Sequence, residues 1–274
     1  MTHYICATCG VQFAETVKPP EQCPICEDER QYVGHSGQQW TTLSELKQNH
    51  HNRIEQQAKS LYGIGTEPSF AIGQRSLLIQ NEQSSKQSNV LWDCISLIDD
   101  HTIEQIQALG GASAIAISHP HYYAAAVEWA HAFEVKVYLH ADDRQWMMRP
   151  DPSIEFWTGD RLQLQENVTL IKAGGHFAGG TVCHWAAGLE GTGMLLTGDV
   201  IQVVADRRWV SFMYSYPNYI PLSAAKVQHI VDAVEPYPFE RIYGAWWTAV
   251  VLSDAKERVR RSAKRYISAI QASG

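Results

Sequence analysis

Four cysteines near the start of the chain have the types and spacing of a metal site. Cys6 and Cys9 form "CATC", Cys23 and Cys26 form "CPIC", and thirteen residues separate the pairs. Two residues between thiolates let one turn present both sulfurs to one ion. Two such knuckles complete a tetrahedral four-sulfur site. Gly10 follows the first knuckle, where a positive φ helps the turn, and Pro24 stiffens the second. The implied chemistry is structural metal binding, with Zn2+ the expected ion and iron the alternative. Cys94 and Cys183 sit in apolar runs and are expected to be core thiols.

A second set of donors lies further along. "SHPHYY" places His119 and His121 two residues apart, "GGHF" supplies His176, and "TGDV" supplies Asp199. Each follows an aliphatic run: "AIAIS", "TLIKAGG" and "LLTG". Loops at strand ends are where α/β folds carry chemistry. Imidazole and carboxylate donors from separate loops suit zinc or another first-row divalent metal. His140, after "VYL", and His184, in "TVCHW", lie in strands near this set and are read as supporting residues that hydrogen-bond behind it.

The elements that must position these residues can be read from the pattern. The cysteine segment is expected to span 1–37. "WTTLSELKQNHHNRIEQQA" then predicts a polar helix within a connecting segment, 38–62, with His50 and His51 on its exposed face. From 63 to 274, aliphatic strand-like runs alternate with helical ones. "FAIGQRSLLIQ", "NVLWDCISLI", "ASAIAIS", "KVYLH", "TLIKAGG", "GMLLTGDVI" and "RIYGAWW" read as strands. "HTIEQIQALGG", "YYAAAVEWAHAF", "PLSAAKVQHIVDAVEP" and "SDAKERVRRSAKRYISAIQ" read as helices. This alternation indicates an α/β layered domain.

Composition narrows the partners. The 274 residues are 45% hydrophobic and 19% charged, which is globular. The net charge of −7 disfavours nucleic acid and anionic membrane as partners. The basic run Lys256 to Arg265 is interleaved at helical spacing and reads as a solvated helix face. No apolar stretch reaches the length of a membrane span, and the first residues do not form a secretory signal. A cytoplasmic location is therefore expected.

In this order the motifs resemble the metallo-β-lactamase superfamily, from about Gly63 to Ser273. The cysteine segment resembles rubredoxin-like and zinc-ribbon knuckles. The superfamily resemblance implies a four-layer αββα sandwich, α/β (α+β) in class, here with a small N-terminal four-cysteine metal knuckle. The family's second motif is H-x-H-x-D-H, and His119 and His121 match its first two histidines. "GGHFAGGTV" matches its glycine-histidine turn at His176, and "TGDV" its aspartate motif at Asp199. "VLWDC" resembles the early strand whose aspartate, here Asp93, supports the site from behind. "FWTGDRLQL" resembles the strand-turn-strand before the third histidine. The chain departs from the pattern where Tyr123 and Ala124 replace Asp and His, and where "GAWW" places Trp246 or Trp247 at the position of a final histidine. The missing residues are those of the family's second metal.

The resemblance therefore implies one ion on His119, His121 and His176, with Asp199 as fourth ligand or water-orienting group. A metal-bound hydroxide would attack a small-molecule ester, thioester, amide or related bond, making the chain a metallo-hydrolase. Tyr123 could donate to a developing oxyanion. Trp209, Phe212, Tyr214, Tyr216 and Tyr219 follow the aspartate motif. With Trp246 and Trp247 they read as a substrate-pocket wall, partly as core, or as the surface of a homodimer. Two alternatives stand beside this reading. One is a non-catalytic, metal-stabilised binding or scaffold protein, and the other an iron redox protein.

Overall fold

The computed structural model describes residues 1–81 and 88–272. Residues 273 and 274, which close the last segment read from the sequence, lie outside the described residues. The chain divides into two compact units. The first comprises Met1–Leu139 with Asp143–Phe156, and the second comprises His140–Asp142 with the chain from Trp157 on.

In the first unit β1 (Tyr4–Cys6) pairs antiparallel with β2 (Trp40–Thr42), and the one-turn α1 (Pro24–Glu27) lies between them in sequence. Helix α2 (Leu43–Asn49) starts directly after β2 because Thr42 caps it. The Thr42 hydroxyl accepts the Glu45 amide at 3.2 Å, and the Glu45 carboxylate accepts the Thr42 amide at 2.9 Å. Leu46 of this helix packs with Ile5 and Leu97 in a small buried cluster.

The helix then stops. The sequence pattern carries a helix to Ala58, but β3 (His51–Ala58) pairs antiparallel with β4 (Leu61–Glu67) through a tight turn in which Ser60 takes φ +59°. His50 closes α2 and bonds to the Pro68 carbonyl at 2.8 Å, and His51 opens the strand. Pairing with β4 overrides the helix preference of Glu55, Gln56, Gln57 and Ala58, because intrinsic propensity is weak beside a tertiary partner.

Five more strands follow: β5 (Ser76–Ile79), β6 (Val90–Trp92), β7 (Ala114–Ala116), β8 (Val137–His140) and β9 (Ile154–Trp157). With β3 and β4 they make a seven-stranded sheet in sequence order. The pairs from β3 to β6 are antiparallel, and β6–β7 and β7–β8 are parallel. Parallel neighbours need crossovers, and helices supply them. Helix α3 (Asp100–Ala108), capped by Asp99, links β6 to β7, and α4 (Ala126–Phe133) links β7 to β8. Helix α4 buries Val127, Trp129 and Ala130, and the Trp129 indole donates to the Ile95 carbonyl at 3.0 Å.

The second unit is built on β10 (Arg161–Gln165), β11 (Val168–Lys172), β12 (Thr181–Trp185) and β13 (Met194–Gly198). Short hairpins follow: β14 (Gln202–Val203) with β15 (Val210–Ser211), and β16 (Met213–Ser215) with β17 (Ile220–Pro221). Then come α5 (Ala224–Val234), β18 (Arg241–Gly244), β19 (Val250–Val251) and α6 (Ala255–Gln271). The six-stranded sheet has the order β10-β11-β12-β13-β18-β19, with β13–β18 its parallel pair. Val227, Ile230, Val231 and Val234 of α5 recur at helical spacing and bury one face. They join Ile171, Val182, Leu195 and Ile242 of the sheet and Val259 and Ala263 of α6 in one core cluster. Each large aliphatic side chain among them contributes about 1.5–3 kcal/mol by leaving water. The strand-turn-strand read at "FWTGDRLQL" is present, but β9 belongs to the first unit's sheet and β10 to the second's.

Candidate metal centres

The four N-terminal cysteines converge. All are buried, and their sulfurs lie within 4.8 Å of one another. Cys6 and Cys26 approach to 3.5 Å, Cys9 and Cys23 to 3.7 Å. Disulfide sulfurs lie about 2.05 Å apart, so these contacts are not bonds. Sulfurs about 2.3 Å from a tetrahedral ion stand about 3.8 Å from each other, which matches the observed contacts. The local backbone explains the convergence. The Gly10 amide donates to the Cys6 carbonyl at 2.8 Å with Gly10 at φ +81°, and the Cys26 amide donates to the Cys23 carbonyl at 2.9 Å. A Cβ on Gly10 would stand 2.6 Å from Ser96 Oγ. Sulfur contacts with Cys23 hold the Cys6 thiol far below its ordinary value, while burial pushes Cys9 far above.

The knuckle is bonded into the first unit. Ser96 Oγ donates to the Gly10 carbonyl at 2.7 Å, and the Gln12 amide donates to the Ala124 carbonyl at 2.9 Å. The buried Gln12 side chain donates to Glu128 at 3.2 Å and accepts from Arg149.

The first histidine pair lies on the loop after β7. His119 precedes a one-turn 3-10 helix, Pro120–Tyr122, that contains His121. Both rings are buried, with centroids 5.2 Å apart, and each offers a nitrogen within 4.8 Å of the other's. Asp93 supports this loop. Its Oδ1 accepts the Ser118 amide at 2.7 Å, and its own amide donates to the Ala116 carbonyl at 2.8 Å. Ser76 Oγ donates to its carbonyl at 2.5 Å, and the residue sits at φ +59°. Burial pushes its carboxyl up to about 7, against the Ser118 bonds that pull it down. Ser118 Oγ lies 2.9 Å from His119 Nδ1. Tyr123 is buried, and that burial, with the charge of Asp143, raises its phenol well above the ordinary value. It therefore stays protonated and can donate but not act as a base. Ala124 takes φ +44°.

In the second unit His176 follows Gly174 and Gly175, at φ +66° and +81°. Its Nδ1 lies 2.7 Å from the Tyr214 carbonyl. A carbonyl only accepts, so Nδ1 carries the proton and the Nε2 lone pair faces outward from that bond, the tautomer that binds metals. The ring also meets Phe177 edge-on at 5.1 Å and Tyr216 at 5.7 Å. Asp199, buried at the end of β13, has its carbonyl held by the Tyr216 hydroxyl at 2.6 Å.

The other residues singled out in the sequence have partners of their own. His140 donates from Nε2 to the Gly159 carbonyl at 3.0 Å, accepts the Asp142 amide at Nδ1, and meets Trp157 edge-on at 4.4 Å. His184 donates from Nε2 to the Pro238 carbonyl at 2.7 Å, and burial lowers its pKa. Trp209 lies under Arg265 and Arg261 of α6, at 3.7 and 5.0 Å, and Phe212 is wholly in the core. Lys226 sits over Tyr214, Tyr219 is 84% exposed, and Trp246 and Trp247 are half-buried. Cys94 and Cys183 are buried free thiols, and burial raises that of Cys94. The roles of the Ser118 amide and the Tyr214 carbonyl have no signal in the sequence, since they are backbone groups that nearly every residue type carries.

No protein-family model matches the chain. Several solved metallo-β-lactamases share this fold. FIM-1 from Pseudomonas aeruginosa, in a mono-zinc form, aligns with TM-score 0.57 and 14% identity over 78% of this chain and 95% of its own. The metallo-β-lactamase of Erythrobacter litoralis gives 0.55 and 16% over 78% and 96%. DIM-1 gives 0.56 and 12% over 78% and 97%. The mixed α/β fold is thus the metallo-β-lactamase fold, joined here to a four-cysteine knuckle. At the sequence level the chain is 54% identical over 272 residues to the uncharacterized protein YmaE of Bacillus subtilis (strain 168), covering 98% of this chain and 97% of that one. It belongs to the family of that protein.

Proposed function

We propose that this protein is a metal-dependent hydrolase in which His119, His121 and His176, the histidines of the motifs that resemble the superfamily, are ligands of one divalent ion. The observation that carries the reading is the fixed tautomer of His176, whose Nδ1 proton is committed to the Tyr214 carbonyl. Support comes also from Asp93, which braces the residue before His119, and from a fold shared with enzymes such as FIM-1 in its mono-zinc form. Bound there, a zinc ion would supply a water acidic enough to ionise near neutral pH.

The chain's own groups supply the rest. Asp199 would hold the ion as a fourth ligand or accept a hydrogen bond from the attacking water. The neutral Tyr123 phenol donates to the oxygen that gains charge. Tyr214, Trp246 and Trp247 offer an aromatic wall for a flat or apolar small molecule carrying an ester, thioester or amide. The acidic net charge argues for such a substrate over nucleic acid or membrane. The cysteine knuckle holds a second, structural ion, zinc rather than iron; a red protein would reverse that assignment.

Elemental analysis tests the assignment. Wild type is expected to hold about two ions per chain, with His119→Ala/His121→Ala and Cys6→Ser/Cys9→Ser each losing about one. Wild type with about one ion, lost only from the cysteine variant, would sink the hydrolase reading and leave a metal-stabilised binding protein.

A further inference from the structure

We infer that Tyr216 is a positioning residue for the ligands of the second unit, acting through its hydroxyl on Asp199 while the strand that leads into it holds His176. The inference rests on the ligand roles proposed above for His176 and Asp199.

Two tethers leave the same short segment. The Tyr214 carbonyl takes the Nδ1 proton of His176 at 2.7 Å, and the Tyr216 hydroxyl donates to the Asp199 carbonyl at 2.6 Å. The Tyr216 ring also flanks the His176 ring at 5.7 Å. A half-buried tyrosine needs an acceptor for its hydroxyl, but any carbonyl would serve. Here the acceptor belongs to the residue whose carboxylate is the proposed ligand. The two tethered residues come from loops after β11 and β13, so no local bond relates them. The segment from Tyr214 in β16 to Tyr216 just after it gives both one reference.

That reference is itself anchored. Met213 pairs with Pro221 and Ser215 with Ile220, and Ser215 Oγ accepts the Asn218 amide at 3.1 Å. At the far end of the hairpin the Tyr266 hydroxyl accepts the Leu222 amide at 2.8 Å. Tyr216 is thus a spacer between a braced hairpin and the aspartate turn. Asp199 follows Gly198, which takes φ +54°, and a glycine-led turn pivots readily unless something pins the next peptide. The Tyr216 bond supplies that pin, and so sets the direction in which the Asp199 carboxylate leaves the backbone.

The test uses the full-length protein, stripped of metal and reloaded with Co2+, in wild type, Tyr216→Phe and Tyr266→Phe. Tyr266→Phe removes the α6 hydroxyl that braces the end of the same hairpin, and it does not bond Asp199. Its role is to report general loosening. Subtracting the spectrum of His119→Ala/His121→Ala isolates the histidine site from the cysteine site. Tyr216→Phe is expected to bind the histidine-site ion about 10–100-fold more weakly, with shifted d–d bands. The cysteine-site signal and the melting temperature of the metal-free chain should not move, and Tyr266→Phe should match wild type. The inference is overturned if Tyr216→Phe keeps wild-type affinity and bands. It is equally overturned if Tyr266→Phe weakens binding as much, or if weaker binding appears only with a lower melting temperature of the metal-free chain. Should wild type and His119→Ala/His121→Ala give the same Co2+ spectrum, the ligand reading itself falls and this inference with it. Loss confined to Tyr216→Phe overturns neither.

Discussion

His176 reaches its place behind two glycines, and the second of them is the more constrained. Gly175 lies at φ +81°, where a side chain costs about 1–2 kcal/mol. A Cβ there would also stand 2.7 Å from Ile230 Cδ1 and 3.1 Å from Leu222 Cδ1. Both are ends of flexible side chains, so the contact strains the turn without breaking the core. Gly175→Ala is expected to destabilise the protein by about 1–3 kcal/mol, or roughly 2–10 °C in a thermal melt. It should also weaken metal binding at the histidine site. An unchanged melt would mean that the turn relaxes around the methyl group at no cost. Asp93 makes the complementary point in the first unit, because a left-handed aspartate is tolerated where its carboxylate has a fixed donor, here the Ser118 amide.

Among elements, α4 carries the clearest test. Glu128 in its first turn binds Arg149 and Gln12, joining the helix, the Met147–Arg149 segment and the cysteine knuckle. Burial pushes the Glu128 carboxyl up, but the Arg149 bond and charge pull it further down, and the net pKa lies below the ordinary 4.5. The sign follows. A carboxylate whose folded pKa is depressed stabilises the fold above its unfolded pKa, and that contribution fades as pH falls through the folded value. Wild type should therefore lose stability as acidification passes below about pH 4.5, and Glu128→Gln should show a shallower acid limb in denaturant titrations. At neutral pH the variant should be less stable by about 1–3 kcal/mol. Equal stability of the two proteins at pH 7 would show that the bridge is replaced by solvent.

For the whole molecule, an ion held in the knuckle would link metal binding to folding. The knuckle's four sulfurs are buried and its backbone is bonded to Ser96 and Ala124 of the same unit. Losing the ion would leave packed thiols with no cation to hold them in that geometry. Cys6→Ser/Cys9→Ser, or prolonged chelation, is expected to lower the melting temperature by roughly 5–15 °C, corresponding to about 2–5 kcal/mol. A melt that ignores chelation would show the knuckle to be an appendage. No helix among the described residues is long and apolar enough to cross a membrane.

The sequence by itself determined the donor sets and their order. Ligands within one turn are set by local spacing, so C-x2-C and His119-Pro120-His121 are legible wherever the chain goes. The alternation of strands and helices was also legible, since burial on one face leaves a period in the residues. Only the tertiary structure decided that residues 51–58 form a strand, because β4 supplies a partner that propensity does not see. The resemblance already placed Asp93 behind the histidine loop, but the fold decided which group each brace meets. Asp93 reaches Ser118 across 25 residues, Tyr214 reaches His176 across 38, and Arg149 reaches Gln12 across 137. Two of these three end on a backbone amide or carbonyl. Every residue has a carbonyl and all but proline an amide, so no residue type marks them, and only the fold says which one is used.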